Sequence, residues 1–400
     1  GNCTQEILIN VDKDRKNIML VENGKLIEKY EENDEKDKLE GNIYLGVVEN
    51  VLPGMQAAFV DIGKEKNTFI HIRDIVPKVS NETGNKNENF KDYNISDYLK
   101  SKMPILVQVK KDSSNKKGAR ISAHLSIPGR FIVLLPDEKF VTLSQKIDDE
   151  EERNRLKQIA ETNLPKEYGA IVRTSAIDKS DKEIAEDIKK TIFKYTVIKK
   201  KYDTELQKGK NIKPKLLFKS EDATQRLITD LMDQDLQRIV TNDEKTYQEV
   251  QDKLKEENKE IKVEMQDNIL GMYNLSKQLE DLENRRIWLK CGGFITIDKT
   301  EALTAIDVNS GKYTGKKDLE QTIFTVNKEA TIEIAKQLRL RDIGGIIIID
   351  YIDMQSKESE NKIIELLKEN LKKDRSKTQI VGFSKLNLLE MTRKHMCSND

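Results

Sequence analysis

Thr304-Ala305-Ile306-Asp307-Val308-Asn309 and Ile346-Ile347-Ile348-Ile349-Asp350 are the two stretches on which the reading of this chain turns. In an extended backbone, successive side chains point to opposite faces, so Ile306 and Val308 share one face and Asp307 and Asn309 the other. Gly293-Phe294-Ile295-Thr296-Ile297-Asp298 precedes the first stretch and predicts a hairpin with it. Between the two stretches, Leu319, Ile323, Val326, Ala330, Ile334 and Leu338 recur every three or four residues and predict one apolar face of a helix. Gly344-Gly345 ends that connection, and Ile346–Ile349 reads as a buried strand carrying a carboxylate at its end. Hairpin, helix, apolar strand, helix and strand make residues 285–400 an α/β region, where sites form at strand ends.

If the two strands are neighbours, Asp307 and Asp350 converge on one hard cation. Mg²⁺ prefers such oxygen ligands and keeps most of its water. Asn309 could then hold a carboxylate or a phosphate oxygen by hydrogen bonding. The plainer reading also stands: an Asp after an apolar strand often caps the next helix. Asp353 falls on the other side of the pleat from Asp350 and reads as a loop or cap residue. Gly311-Lys312-Tyr313-Thr314-Gly315-Lys316-Lys317 imitates a phosphate-binding loop but is one residue short between its glycines. It also has Lys where Ser or Thr should meet Mg²⁺, which excludes an NTPase.

Outward from this region, Glu6–Asn10, Ile18–Glu22 and Lys25–Tyr30 predict strands with Asn23-Gly24 as a turn, and Glu31–Glu40 reads as a linker. Short strands punctuated by Gly41, Pro53-Gly54, Gly63, Pro104 and Gly118 predict a small barrel over 41–125, with a polar loop at 78–97. Phe59 and Phe69 lie on successive strands of it and could stack bases or fill its core. Lys110, Lys111, Lys116, Lys117 and Arg120 are placed to neutralise phosphates or simply to be solvated. Strands at Phe131–Leu135 and Ala170–Thr174 flank a helix near 148–161, and a charged helix spans 181–207. Segment 220–283 is mostly helical, with strands at Arg238–Val240 and Lys262–Met265.

Composition narrows the chemistry. Four hundred residues imply two or more domains. The 70 Lys+Arg and 70 Asp+Glu cancel, so any nucleic-acid site must be a local patch. No apolar run approaches the roughly 20 residues of a membrane span, and no apolar leader opens the chain, so a cytoplasmic protein is expected. Cys3, Cys291 and Cys397, with three histidines, form no zinc pattern. A metal would therefore be held by carboxylates, which favours Mg²⁺ or Mn²⁺.

Three groups of strings resemble the bacterial ribonuclease E/G family. They are Thr300–Gly311; Ala335–Met354, reading Ala-Lys-Gln-Leu-Arg-Leu-Arg-Asp-Ile-Gly-Gly before the isoleucines; and, upstream, Gly41–Tyr44, Val51–Asp61, Gly129–Val133 and Gly169–Thr174. The resemblance implies an α/β multidomain fold. An RNase H-like subdomain (1–39 and 219–282) is interrupted by an S1 (OB-type) β-barrel (40–125) and a 5′-sensor region (126–218), and is followed by a DNase I-like catalytic subdomain (283–400). It implies a Mg²⁺-dependent endoribonuclease that cuts single-stranded, A/U-rich RNA to 5′-phosphate and 3′-hydroxyl ends, stimulated by a 5′-monophosphate, in mRNA decay or rRNA processing. It makes Asp307, Asn309 and Asp350 catalytic, with Asp307 and Asp350 the metal ligands. Phe59, Phe69 and Lys117, with Lys111 from the basic cluster, are the expected RNA contacts. Gly129, Val133, Arg173 and Thr174 are the expected 5′-phosphate sensor; Lys146 stands where Arg is common.

Members of the family continue past Met391-Thr392-Arg393 into a zinc link and a small domain. Here Cys397 has no partner in reach, so the expectation is a truncated or naturally short member, a monomer or weak homodimer, without zinc. The competing readings are a non-catalytic S1-type RNA-binding protein, which needs no carboxylate pair beside a polyanion, and a DNA nuclease.

Overall fold

The structure, a computed structural model, describes residues 4–33, 38–77, 79–80, 86–87, 92–114, 117–313 and 318–396. The chain divides into two compact units, residues 35–222 and residues 1–34 with 223–400.

The 35–222 unit contains a closed barrel. Strand Ile43–Leu52 pairs with Ala57–Asp61, then Thr68–His71, Arg120–Ser122 and Pro104–Lys111, which returns to Ile43–Leu52. Alternation fills its interior with Val48, Ala58, Val60, Ile70, Val107, Val109 and Ile121. Closure leaves the barrel ring without a free edge. The loop expected at 78–97 contains a short pairing of Val79–Ser80 with Lys86–Asn87; much of the remainder lies outside the described residues. Lys116 and Cys397 also lie outside them. Beyond the barrel, Ile127–Pro128, Ile132–Leu135, Gly169–Val172 and Val141–Leu143 form a four-stranded sheet. Helices Glu150–Asn163 and Asp181–Leu206 pack on it through Leu156, Ile159, Ile184 and Ile188. Ser180 and Glu183 close a capping box that starts the second helix cleanly.

The other unit unites distant parts of the chain. Gln5–Asp12 pairs in parallel with Leu236–Thr241 and antiparallel with Arg15–Glu22, so one five-stranded sheet draws from both ends. The turn into Lys25–Asn33 is the expected Asn23-Gly24, both with positive φ (51° and 79°). That strand runs to Asn33, past Glu31 where a linker was expected to begin; residues 34–37 of that expected linker lie outside the described residues. A second, six-stranded sheet runs Arg286–Trp288, Phe294–Lys299, Thr304–Asn309, Gly345–Asp350, Leu389–Arg393 and Thr378–Phe383. The chain therefore ends in a hairpin where one strand was expected. Val326, Ala330, Ile334 and Leu338 of helix Leu319–Leu340, and Ile363 and Leu367 of helix Lys357–Leu371, pack on the sheet residues Ile306, Val308, Ile347 and Ile349. Strand Gly345–Asp350 is not buried on both sides as its four isoleucines predicted. Ile347 and Ile349 are fully buried, whereas Ile346 is 49% exposed, because the sheet's other face carries no helix among the described residues.

A buried ionic cluster holds this unit together. Glu28, 1% exposed, accepts from Arg375 and Arg339 at 2.7 Å each and from the Tyr30 hydroxyl at 2.7 Å, while Arg375 also pairs with Asp230 at 2.5 Å. Burial pushes the Glu28 carboxyl up, but the charges of Arg375 and Arg339 outweigh it and hold the group at about 2. Its contribution to stability is therefore full above the ordinary value of 4.5 and is lost as pH falls towards about 2. Glu28→Gln should lower the unfolding free energy by about 3–5 kcal/mol at neutral pH and flatten the acid limb of the stability profile between about pH 5 and 2. Urea titrations of both proteins across that range check it; equal acid limbs would remove Glu28 from the account.

Candidate active site and RNA-facing surfaces

Asp307 and Asp350 are register partners in the parallel pairing of Thr304–Asn309 with Gly345–Asp350. Adjacent strands lie about 4.8 Å apart and partners share a face, so the two carboxylates rise side by side. Strand Thr304–Asn309 alternates buried and exposed along its whole length, with Asp307 and Asn309 on the open face as predicted. The Asp307 carboxyl is pushed above the ordinary range, first by burial and then by the Asp350 charge; the Val308 N–H and the Arg285 guanidinium pull the other way. The capping alternative for Asp350 fails, because Ser356 caps the next helix by accepting from the Ser359 N–H at 3.0 Å. Asp353 lies in the intervening loop. Asn309 accepts from the Gly311 N–H at 2.8 Å, which fixes its side chain and leaves the amide N–H₂ as its donating half.

Several supporting residues escaped sequence reasoning. Asn327, fully buried on the helix, donates to the Ile352 carbonyl at 2.8 Å and accepts from the Ile352 N–H at 3.1 Å. Thr331 meets the Tyr351 hydroxyl at 2.7 Å. Together they clamp the chain directly after Asp350. The signal was there: two polar residues inside the apolar stripe of a helix. Arg285 makes a two-pronged pair with Asp298 (2.6 and 2.8 Å), whose strand position adjoins Ala305 on the open face. As donors for a metal, Asp307 and Asp350 are two oxygen ligands with a like-charge repulsion to relieve, which suits a water-rich Mg²⁺ or Mn²⁺. No described group of three or more His, Cys, Asp or Glu is arranged as a metal cage.

In the 35–222 unit the two phenylalanines are register partners, Phe59 with Phe69. Phe59 is 36% exposed, while Ala58, Val60 and Ile70 point inward, so the barrel-core alternative for Phe59 and Phe69 is removed. The row continues across the outer surface through Arg120 to Lys111, each the register partner of the last. Arg120 is pinned by Asp74 through two hydrogen bonds (2.9 and 3.2 Å). Lys117 sits exposed in the turn between the strands of Lys111 and Arg120. Lys110 is drawn to Gln108 at 3.0 Å.

The residues expected to form a 5′-phosphate sensor come together in part. Arg173 follows its strand, which ends at Val172, and precedes a short helical turn Thr174–Ala176; it is not on the strand, as the sequence suggested. Its guanidinium donates to the Gly129 carbonyl at 2.9 Å, and its own N–H donates to the Phe131 carbonyl at 2.8 Å. Val133 pairs with Ile171 on the adjoining strand, and Lys146 donates its N–H to Ser144 at 3.3 Å. The missed residue is Asp187. Buried on helix Asp181–Leu206, it accepts from the N–H groups of Arg130, Phe131 and Ile132 at 3.0, 2.8 and 3.2 Å. Burial raises its carboxyl, and those three donors oppose the rise. On a helix this rich in charge, nothing in sequence marked that one Asp as inward.

Gly129 has no room for a side chain: a Cβ would meet Asp187 Oδ2 at 2.7 Å, the Ile132 carbonyl at 3.0 Å and the Thr191 hydroxyl. Gly129→Ala should therefore lower the unfolding free energy by about 1–3 kcal/mol, the usual cost of overpacking. A urea titration reads it directly, and unchanged stability would mean that the loop yields freely.

The structure thus offers a carboxylate pair on an open sheet face, an aromatic and basic row on a barrel, and an arginine held at a tight glycine loop. The model of the ribonuclease E/G family matches residues 126–396. Ribonuclease G of Escherichia coli (strain K12) is 36% identical over 399 residues, covering 98% of this chain and 80% of that protein. Ribonuclease G of Haemophilus influenzae is 38% identical over 401 residues, 97% of this chain and 79% of the relative. Ribonuclease E of Nostoc sp. is 36% identical over 369 residues, 90% of this chain and 52% of its own length. With the match running through barrel, four-stranded sheet and carboxylate strands alike, the chain belongs to the ribonuclease E/G family.

Proposed function

We propose that this family member is an endoribonuclease that cleaves single-stranded RNA with a divalent cation, Mg²⁺ or Mn²⁺, held between Asp307 and Asp350. The observation that carries the proposal is their register pairing at the ends of two neighbouring strands. A divalent cation, when bound, offsets charge on the phosphoryl oxygens and makes water a better nucleophile. The chain's own residues do the rest. Asp307 and Asp350 orient their carboxylates through the strand ladder and the Asn327 clamp. The Asn309 amide donates to a carboxylate or a phosphate oxygen. Water adds to phosphorus and the bond to the 3′-oxygen breaks, leaving a 3′-hydroxyl on one fragment and a 5′-phosphate on the other.

Phe59 and Phe69 stack bases, and Lys111 and Lys117 neutralise phosphates, which favours unpaired strands over duplex because only splayed bases offer their faces. A/U-rich segments pair weakly and are the expected targets, in mRNA decay or rRNA processing. Arg173 and Thr174 take a 5′-terminal monophosphate, with Gly129 and Val133 shaping the pocket. A terminal phosphate is the most highly charged group on such an RNA and suits a guanidinium held by backbone carbonyls. No described helix is long and apolar enough to cross a membrane.

The test is cleavage of a 5′-monophosphorylated, A/U-rich RNA with Mg²⁺. Asp307→Asn and Asp350→Asn should each slow cleavage by about a hundredfold or more, with RNA affinity within about threefold of wild type because stacking and phosphate contacts lie elsewhere. Binding without cleavage by the wild-type chain would favour a non-catalytic RNA-binding protein. Arg173→Gln should narrow the preference for 5′-monophosphate over 5′-hydroxyl substrate; an unchanged ratio would dismiss the sensor assignment.

A further inference from the structure

The open face of the six-stranded sheet holds a second feature beside the carboxylates. The register puts Trp288, Phe294 and Asn309 in one row, and Arg286, Thr296, Asp307 and Asp350 in the next. Register partners share a face, so all seven look the same way. Trp288 is 62% exposed. Its neighbour Ile287 packs into the core on the opposite face, so the period of two forces the indole outward. Trp288 and Phe294 meet edge to face, with centroids 5.1 Å apart. The Arg286 guanidinium lies over both rings, 5.6 Å from Trp288 and 4.3 Å from Phe294.

We propose that Trp288, Phe294 and Arg286 form a nucleobase-stacking platform that seats one base of single-stranded RNA beside the Asp307–Asp350 pair. Trp288 does not stand alone: with Phe294 beside it edge to face, it leaves a mostly exposed aromatic surface on this sheet face. Here the occupant is set by the surroundings. Trp288 lies two strand spacings, about 10 Å, from Asn309 on a continuous surface, and the backbone reacting at the carboxylates must carry its neighbouring bases across that surface. The platform is also preorganised: the edge-to-face contact and the overlying cation fix the indole before RNA arrives. Arg286 adds positive charge to a face whose carboxylates would otherwise repel a phosphate. A flat, apolar, cation-bordered surface takes any base, so it contributes affinity and register rather than sequence choice. This rests on the endoribonuclease reading above, but the fluorescence titration that tests it first does not.

The chain contains one tryptophan, so its intrinsic emission reports Trp288 alone. The full chain is titrated, in EDTA, with a short A/U oligoribonucleotide and with an abasic ribose-phosphate chain of equal length. Saturable quenching by the first and little by the second is expected. In the cleavage assay, Trp288→Ala should raise KM about tenfold, within the range of one stacked base, while Trp288→Phe keeps most of the wild-type value. Binding of labelled RNA with unchanged emission, equal quenching by the abasic chain, or an unaltered KM in Trp288→Ala would each overturn the platform. Quenching without cleavage would leave the platform standing and sink the endonuclease reading; cleavage without quenching would do the reverse.

Discussion

Two like charges at the ends of neighbouring strands are the constraint around which the 285–396 region is built. Asp307 and Asp350 repel, and the repulsion grows as water is removed. A free chain would rotate the two groups apart. Here the parallel ladder from Thr304–Ile347 to Asp307–Asp350 sets their separation, and the helix beneath sets the ladder. Asn327 ties down the next turn of chain with two hydrogen bonds from a fully buried position, where leaving its amide unpaired would cost about 1–3 kcal/mol. The carboxylate pair is therefore held by groups behind it, and the fold keeps the repulsion between Asp307 and Asp350 rather than relieving it.

The second constraint is topological. The five-stranded sheet needs Leu236–Thr241 to lie against Gln5–Asp12, so more than two hundred residues of chain must be looped out before it can close. Residues 35–222 form that loop as a compact unit of their own. Once closed, the sheet is joined by Glu28 to Arg339 on the helix Leu319–Leu340 and to Arg375 just after the helix Lys357–Leu371, in a largely buried cluster. Such clusters add little net stability over a packed apolar core, but losing one partner strands the others. Their role here is best understood as specifying one arrangement of two layers that apolar contacts alone would let slide.

What was legible in the sequence depended on range. Period two in Thr304–Asn309 placed Asp307 and Asn309 on one face, and the structure keeps them there. The Asn23-Gly24 turn, the barrel and the long helix at Leu319–Leu340 were equally local readings. Four successive isoleucines predicted burial on both sides of a strand. Hydrophobicity alone could not reveal that helices cover one face only, leaving Ile346 half exposed. The pairing of residue 7 with residue 239 had no local signature at all. Asp187 looked like any other charge on its helix, and its burial became visible only with the loop it holds. The family resemblance supplied candidate residues, but that Phe59 and Phe69 lie outside the barrel core became visible only in their register and exposure.

That last case and the carboxylates share one physical logic. A sheet that is packed on a single side leaves every second residue free of the core, and those positions carry no packing duty. In the barrel they hold Phe59, Phe69, Arg120 and Lys111 in one row; in the α/β sheet they hold Trp288, Phe294, Arg286, Asp307, Asn309 and Asp350. Ladder spacing then meters the side chains at intervals of about 4.8 Å across the strands. A one-sided sheet therefore holds such groups at fixed separations while its hidden face bears the cost of folding. Loops could carry the same residues, but not with separations that survive the repulsion between Asp307 and Asp350.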